Sequence, residues 1–186
     1  SNVINMDSAF EDATAFDKDI GNWDVSKVND MNQMFQNASA FDQDLGDWDV
    51  SKVEQMKNMF KLALVYNNGG LPLDWSSTSS VTTMQQMFSE ADAFNQDISS
   101  WDTSNVTDML YMFHEADGFN NGGVPLSWNT SNVTNMKGTF YKARTFSQPL
   151  VGWTTPKVET MYAMFSGAYE FNHDVSSWDV SKVKNM

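Results

Sequence analysis

Residues 26–50 read SKVNDMNQMFQNASAFDQDLGDWDV, and the chain repeats this pattern from one end to the other. Each unit has a valine, a methionine three residues later, a Met-Phe pair in most units, an alanine, a second aromatic residue and finally a tryptophan. The tryptophans recur every 25 to 27 residues, at Trp23, Trp48, Trp75, Trp101, Trp128, Trp153 and Trp178. A fixed period of this length is typical of proteins built from stacked repeats.

The period divides the chain into seven units and a partial eighth within a single repeat domain, 1–186. The units are 1–25, 26–50, 51–78, 79–103, 104–130, 131–155, 156–180 and 181–186. Val3 and Val183 stand in the same phase of the unit, so we expect the chain to be a window on a longer array. The apolar positions at both ends predict end-to-end self-association.

The order of apolar residues predicts a short helix in each unit. Counted from the unit's valine, they fall at positions +3, +6, +7 and +10, which cover one side of a helix of about three turns. A polar loop follows, and Trp-Asp-Val alternates as a short strand would. Stacked units would place these strands in a parallel ladder, so the predicted fold class is an α/β repeat solenoid. All 13 methionines, 13 phenylalanines and 7 tryptophans occupy its core positions.

Composition excludes several classes of function. The chain has 24 acidic and 11 basic side chains and a formal net charge of −13, which disfavours binding to nucleic acid. It has no cysteine and two histidines, so it lacks the ligands of a zinc centre and the thiols of a disulfide scaffold. No apolar stretch approaches the ~18 residues of a membrane span. We expect no cofactor, with calcium as the one alternative.

Segments such as FNQDISSWDTSNVTDM, residues 94–109, resemble the repeat of BspA-like surface proteins, which also occurs in mycoplasma surface lipoproteins. The resemblance covers essentially the whole chain. It implies a leucine-rich-repeat-like solenoid at the cell surface or outside the cell, used for adhesion or recognition and without enzymatic activity. It transfers no catalytic residue to this sequence.

The first candidate site consists of aromatic residues at exposed positions of the predicted helices. These positions are polar in most units, but in the later units they hold Leu110, Tyr111, Tyr141 and Tyr162, with His114 beside them. Because equivalent positions stack from unit to unit, we expect one partly aromatic surface. Exposed tyrosine is common where proteins bind proteins or sugars. Scattered surface aromatics without a function are the alternative.

A second candidate lies in two loops that are two residues longer than the others. They contain Asn67 and Asn68 in one unit, and Asn120 and Asn121 two units later. The two loops either frame a ligand-binding rim or are tolerated insertions at the surface.

A third candidate is a calcium site in the first two loops. Asp17 and Asp19 should stack over Asp42 and Asp44, and oxygen ligands in loops suit Ca²⁺. The alternative is that each aspartate accepts a hydrogen bond from a nearby turn amide.

Two functions remain open at this stage. The first is a non-enzymatic extracellular module that binds a surface or matrix protein, or a glycan, through its repeat surface. The second is a structural spacer of a surface protein with no ligand of its own. An enzyme is a distant third, because no nucleophile, base or acid pair stands at a recognisable spacing.

Overall fold

The repeat units stack on one another in chain order. The computed structural model describes residues 2–75 and 77–186. Within these ranges, isolated parallel bridges join position +2 of each unit to position +2 of the next. The bridged pairs are Asn5–Asp30, Asp30–Gln55, Gln55–Thr83, Thr83–Asp108, Asp108–Asn135, Asn135–Thr160 and Thr160–Asn185. The described ranges contain no strand, and their only helices are two short 3₁₀ helices, Asn68–Gly70 and Asn121–Gly123.

The predicted α/β solenoid, including its leucine-rich-repeat-like form, is therefore wrong. Turns replace the expected helices, because positions +5 and +9 of each unit have left-handed backbone: in the second unit, φ is 54° at Gln33 and 57° at Asn37. An α-helix of L-residues needs a negative φ throughout, so it cannot continue through these positions. The same holds at Ser8, Asp12, Asn58, Leu62, Gln86, Glu90, Tyr111, Glu115, Gly138, Lys142, Ala163 and Gly167.

Backbone hydrogen bonds alternate between the unit and its neighbour. The amide of Gln33 donates to the carbonyl of Lys57 in the next unit at 2.8 Å. One residue later, the amide of Met34 donates within its own unit to Met31, three residues earlier. The alternation continues along the turn segment, so the amides that an α-helix would use internally instead join the units together.

The predicted strand at Trp-Asp-Val is also replaced by a turn. The Asp49 carboxylate accepts the amide of Ser51 at 3.0 Å, and Asn129 does the same for Ser131 at 3.1 Å. The hydroxyl and amide of Ser51 lower the pKa of Asp49. Such an Asx turn bends the chain away from the extended course that a strand requires. Many of the acidic residues therefore serve as turn acceptors.

Most of the methionines, phenylalanines and tryptophans form the core, as the repeat predicted, whereas Trp23 and Met186 in the end units are exposed. Phenylalanines at position +7 stack from unit to unit: the ring centroids of Phe60 lie 5.5 Å from those of Phe35 and of Phe88. Tryptophan indoles also join the units, since Trp75 Nε1 donates to the carbonyl of Leu45 at 2.8 Å. Each unit thus buries its apolar side chains against its neighbours.

Candidate functional site

Three aromatic side chains and two neighbouring residues form one surface, here called the aromatic patch: Tyr111, His114, Lys137, Tyr141 and Tyr162. They come from the fifth, sixth and seventh units, where they occupy positions +4, +5 and +8. The left-handed backbone at Tyr111 and the inter-unit hydrogen bonds on either side of it fix these positions in register. The patch is therefore assembled by stacking, and no single unit contains it.

The rings of the patch contact one another directly. His114 stacks on Tyr141 with 5.2 Å between ring centroids and 8° between ring planes. Tyr111 meets His114 edge-on at 5.1 Å, and it lies 6.5 Å from Tyr141 in a similar orientation. Such stacked and edge-on contacts are favourable for aromatic rings, so the rings hold one another in place.

Gly138 makes room for Tyr111. A Cβ atom on Gly138 would lie 2.1 Å from Cε1 of the Tyr111 ring, and φ at this glycine is 58°. Position +5 is occupied by side-chain-bearing residues in the other units, so the glycine is specific to the unit that the ring covers. The role of Gly138 was not predicted from the sequence, although its exception to the pattern was a usable signal.

Lys137 lies between two tyrosines. Its Nζ is 5.5 Å from the ring centroid of Tyr111 and 5.7 Å from that of Tyr162. Both distances are within the range of a cation–π contact. Through this lysine, Tyr162 joins the other rings. Lys137 was not predicted from the sequence, because a lysine does not depart from the polar pattern of position +4.

Burial favours the neutral form of His114, although the nearby carboxylates of Glu115 and Glu90 act in the opposite direction. Its Nδ1 lies 3.2 Å from the Ser89 hydroxyl, and its Nε2 lies 3.8 Å from the Glu115 carboxylate. Burial lowers the pKa of His114. Glu115 is engaged by Lys142 at 2.5 Å, and this hydrogen bond lowers the pKa of Glu115.

The remaining predicted member of this surface, Leu110, stands at position +4 one unit before Lys137 and is half-buried. Its amide donates to the Asp108 carboxylate at 2.8 Å. The structure thus brings together four of the five residues predicted for the aromatic surface, and places Leu110 in the same column beside them.

A family model described as Mycoplasma protein of unknown function, DUF285, matches residues 1–77, 70–125 and 125–186. The chain belongs to this family. The three matches follow one another along the chain, in agreement with a mycoplasma-type repeat family, and they do not single out the BspA-like proteins. No curated protein and no solved structure matches the chain.

The loop asparagines of this DUF285 chain form part of a ladder that connects units. Asn67 Oδ1 accepts the amide of Asn95 at 2.9 Å, and Asn120 Oδ1 accepts that of Ser147 at 2.9 Å. Asn95 itself accepts the amide of Asn120 at 2.8 Å. The amide oxygens of both predicted binding residues are thus used within the fold.

Asn68 and Asn121 are fully buried and anchor the two longer loops. Asn121 Oδ1 accepts the amide of Ile98 at 3.0 Å, while its Nδ2 donates to the carbonyls of Val124 and Pro125. Asn68 makes equivalent bonds to Leu45, Leu71 and Pro72. Within residues 2–75 and 77–186, no hydrogen bond joins Asn68 or Asn121 to the aromatic patch.

The four aspartates of the predicted calcium site accept hydrogen bonds from nearby groups. Asp17 accepts the Gln43 amide at 2.6 Å, which lowers the pKa of Asp17, and Asp42 accepts the backbone amide of Asn67 at 2.7 Å. Asp19 and Asp44 accept the amides of Gly21 and Gly46. The bonds of Asp19 and Asp44 match the turn alternative, whereas Asp17 and Asp42 accept hydrogen bonds from groups of the following unit. In the described part of the chain, no three His, Cys, Asp or Glu side chains are grouped to hold a metal ion.

The last full unit has an apolar cavity that is open at its end face. It is lined by Met161, Phe165, Val175, Trp178, Val180 and Met186, among others. The predicted end-to-end association of the DUF285 chain stays a prediction.

Among the described residues, no helix is long and apolar enough to cross a membrane.

Proposed function

We propose that this DUF285 chain is a non-enzymatic recognition or adhesion module that acts at the cell surface or outside the cell. The aromatic patch would bind its partner, a protein or a glycan. The observation that carries the proposal is the cluster of interlocked, partly exposed rings across three units, with Tyr162 46% exposed. The BspA-like resemblance supports the extracellular setting.

The same positions in earlier units support a binding role for the patch. Position +8 holds Glu11, Gln36, Lys61 and Ser89 before it becomes His114 and Tyr141, and position +4 holds Asp7, Asn32, Lys57 and Gln85 before Leu110. Those earlier units stack through the same backbone hydrogen bonds without aromatic residues there. Stacking alone therefore does not require the rings, and tyrosine is a frequent anchor residue in binding surfaces.

His114 lies between the Ser89 hydroxyl and the Glu115 carboxylate, as the histidine of a hydrolase triad lies between a serine and a carboxylate. The geometry of these three residues nevertheless argues against catalysis. Ser89 is 0% exposed, so its hydroxyl cannot reach a substrate. Nε2 of His114 lies 3.8 Å from Glu115, which is beyond hydrogen-bond distance, and Glu115 is held by Lys142. This arrangement supports a binding role for the histidine.

Tyr162→Ser tests the proposal, with Tyr169→Ser as its matched control. Tyr169 is 78% exposed in the same unit and lies outside the patch. On an array of host proteins and glycans, we expect Tyr162→Ser to weaken binding of the main ligand by about tenfold or more. Tyr169→Ser should bind as the unsubstituted chain does.

Equal binding by all three proteins would contradict the patch as the binding surface. If the unsubstituted chain binds no protein or glycan on the array, the second function, a spacer without a ligand, is favoured, and the uniform stacking of the units also suits it.

A further inference from the structure

Lys137 differs from the other cations around the aromatic patch because it has no carboxylate partner among the described residues. Lys142 pairs with Glu115, and Arg144 pairs with Asp117. Among the described residues, the Lys137 ammonium has cation–π contacts with Tyr111 and Tyr162 and no salt bridge. Its positive charge is therefore available to a bound anion.

The charge of the whole chain makes this position distinctive. The formal net charge is −13, with 11 basic residues in 186. Three of those basic residues, Lys137, Lys142 and Arg144, fall within one short segment of the sixth unit. Lys142 and Arg144 are paired with carboxylates, so Lys137 is the cation of this segment that can attract a negative group, in a chain whose net charge repels such groups over most of its surface.

The backbone around the patch is unavailable to an extended peptide. The amides of Tyr111 and Glu115 donate to the carbonyls of Lys137 and Tyr141, at 2.9 and 2.8 Å, and that of Gly138 donates to Tyr162 at 2.9 Å. Addition of a peptide strand requires free amides and carbonyls at an edge. The partner must therefore be recognised by the side chains, which offer aromatic faces, tyrosine hydroxyls and one ammonium group.

We propose that the aromatic patch binds an acidic glycan, a sugar that carries a carboxylate or a sulfate. The anionic group pairs with Lys137 Nζ, while the C–H face of the sugar ring packs on Tyr162, whose side chain is the most exposed of the patch. A carboxylated sugar and a sulfated sugar each present a negative charge and an apolar ring face. The patch can accommodate the charge and the ring face together. This assignment rests on the proposed function and names its ligand class.

The test compares neutral oligosaccharides with their carboxylated and their sulfated derivatives, as purified probes in calorimetric titrations. We expect acidic derivatives to bind at least about tenfold more tightly than the neutral parents, and added salt to reduce the difference. The two acidic series distinguish carboxylate from sulfate as the preferred group.

Lys137→Met should abolish the preference for acidic probes while retaining the apolar stem of the side chain. Lys137→Arg should restore most of it. The matched control is Lys57→Met, because Lys57 occupies position +4 of the third unit, is exposed and lies away from the patch. Thermal unfolding of each variant checks that the stack is intact.

Equal affinity for neutral and acidic probes, no binding of either, or an unchanged preference in Lys137→Met would each overturn the inference. Binding of acidic proteins or of a second copy of this chain in place of glycans would also overturn it. If Tyr162→Ser still abolishes binding in those cases, the proposed function stands with another ligand. If Tyr162→Ser has no effect on any ligand, the proposed function fails as well.

Discussion

Left-handed backbone at positions +5 and +9 is the residue-level feature that gives every unit its shape. For a residue other than glycine, this conformation costs about 1 to 2 kcal/mol, and Leu62, Tyr111 and Ala163 all adopt it. The hydrogen bonds to the next unit offset part of this cost, at about 0.5 to 1.5 kcal/mol each. The conformation also turns Tyr111 toward Gly138, so the same strained position builds the aromatic patch.

Ala163→Gly tests the left-handed backbone at a single residue. With φ at 55°, glycine relieves the strain, and we expect the free energy of unfolding to stay level or rise by about 1 kcal/mol. Ala168→Gly is the control, because Ala168 is buried in the same unit and has no positive φ. It should lower the free energy of unfolding by about 1 kcal/mol in urea titrations. Equal losses in both variants would indicate a helix.

At the scale of the element, hydrogen bonds of polar side chains fix the course of the chain, as the backbone hydrogen bonds of helices and strands do in other proteins. Asx turns bend the chain after most of the tryptophans, as at Asp102, and side-chain ladders connect the loops, as at Asn95. In each of the two longer loops, the side chain of one buried asparagine makes hydrogen bonds that backbone groups would otherwise make. The acidic and amide-rich composition is thus a requirement of the turns.

Asn121→Ala tests the anchoring of the longer loops. It leaves the buried amide of Ile98 and the carbonyls of Val124 and Pro125 without their partner, and we expect a loss of about 3 kcal/mol in the free energy of unfolding. Asn121→Gly should lose nearly as much, although it removes backbone strain at this position of positive φ. Asn172→Ala, at an exposed position, should change stability by no more than about 0.5 kcal/mol. A small loss in Asn121→Gly would contradict the anchoring role.

The sequence predicts the repeat and its core but not the local backbone. Apolar positions +3, +6, +7 and +10 suit a helix, yet a chain of turns that alternates local and inter-unit bonds buries the same set. Only Gly138 and Gly167, at positions +5 and +9, hint at a left-handed backbone. The patch was predictable from Tyr111, His114, Tyr141 and Tyr162, because they break a polar pattern. The role of Lys137 was not predictable, because it depends on rings from two neighbouring units.

At the scale of the whole molecule, the chain is a stack in which each unit contacts its neighbours and the backbone amides at positions +3, +5, +7 and +9 donate to the following unit. At position +7, for example, the amide of Phe10 donates to the carbonyl of Met34, and the amide of Phe140 donates to that of Met164. Side chains from different units therefore meet at fixed spacing. The aromatic patch depends on this register, so the proposed binding function rests on the stack itself.

The most direct test of the stack is the scalar coupling that NMR detects through hydrogen bonds, between an amide nitrogen and the carbonyl carbon that accepts its proton. For the amide of Phe113, the structure predicts a coupling to Thr139 in the following unit, across a 2.9 Å bond. The amides of Tyr111 and Glu115 should couple to Lys137 and Tyr141 in the same way. A coupling from Phe113 to Met109, four residues earlier, would show an α-helix and contradict the account.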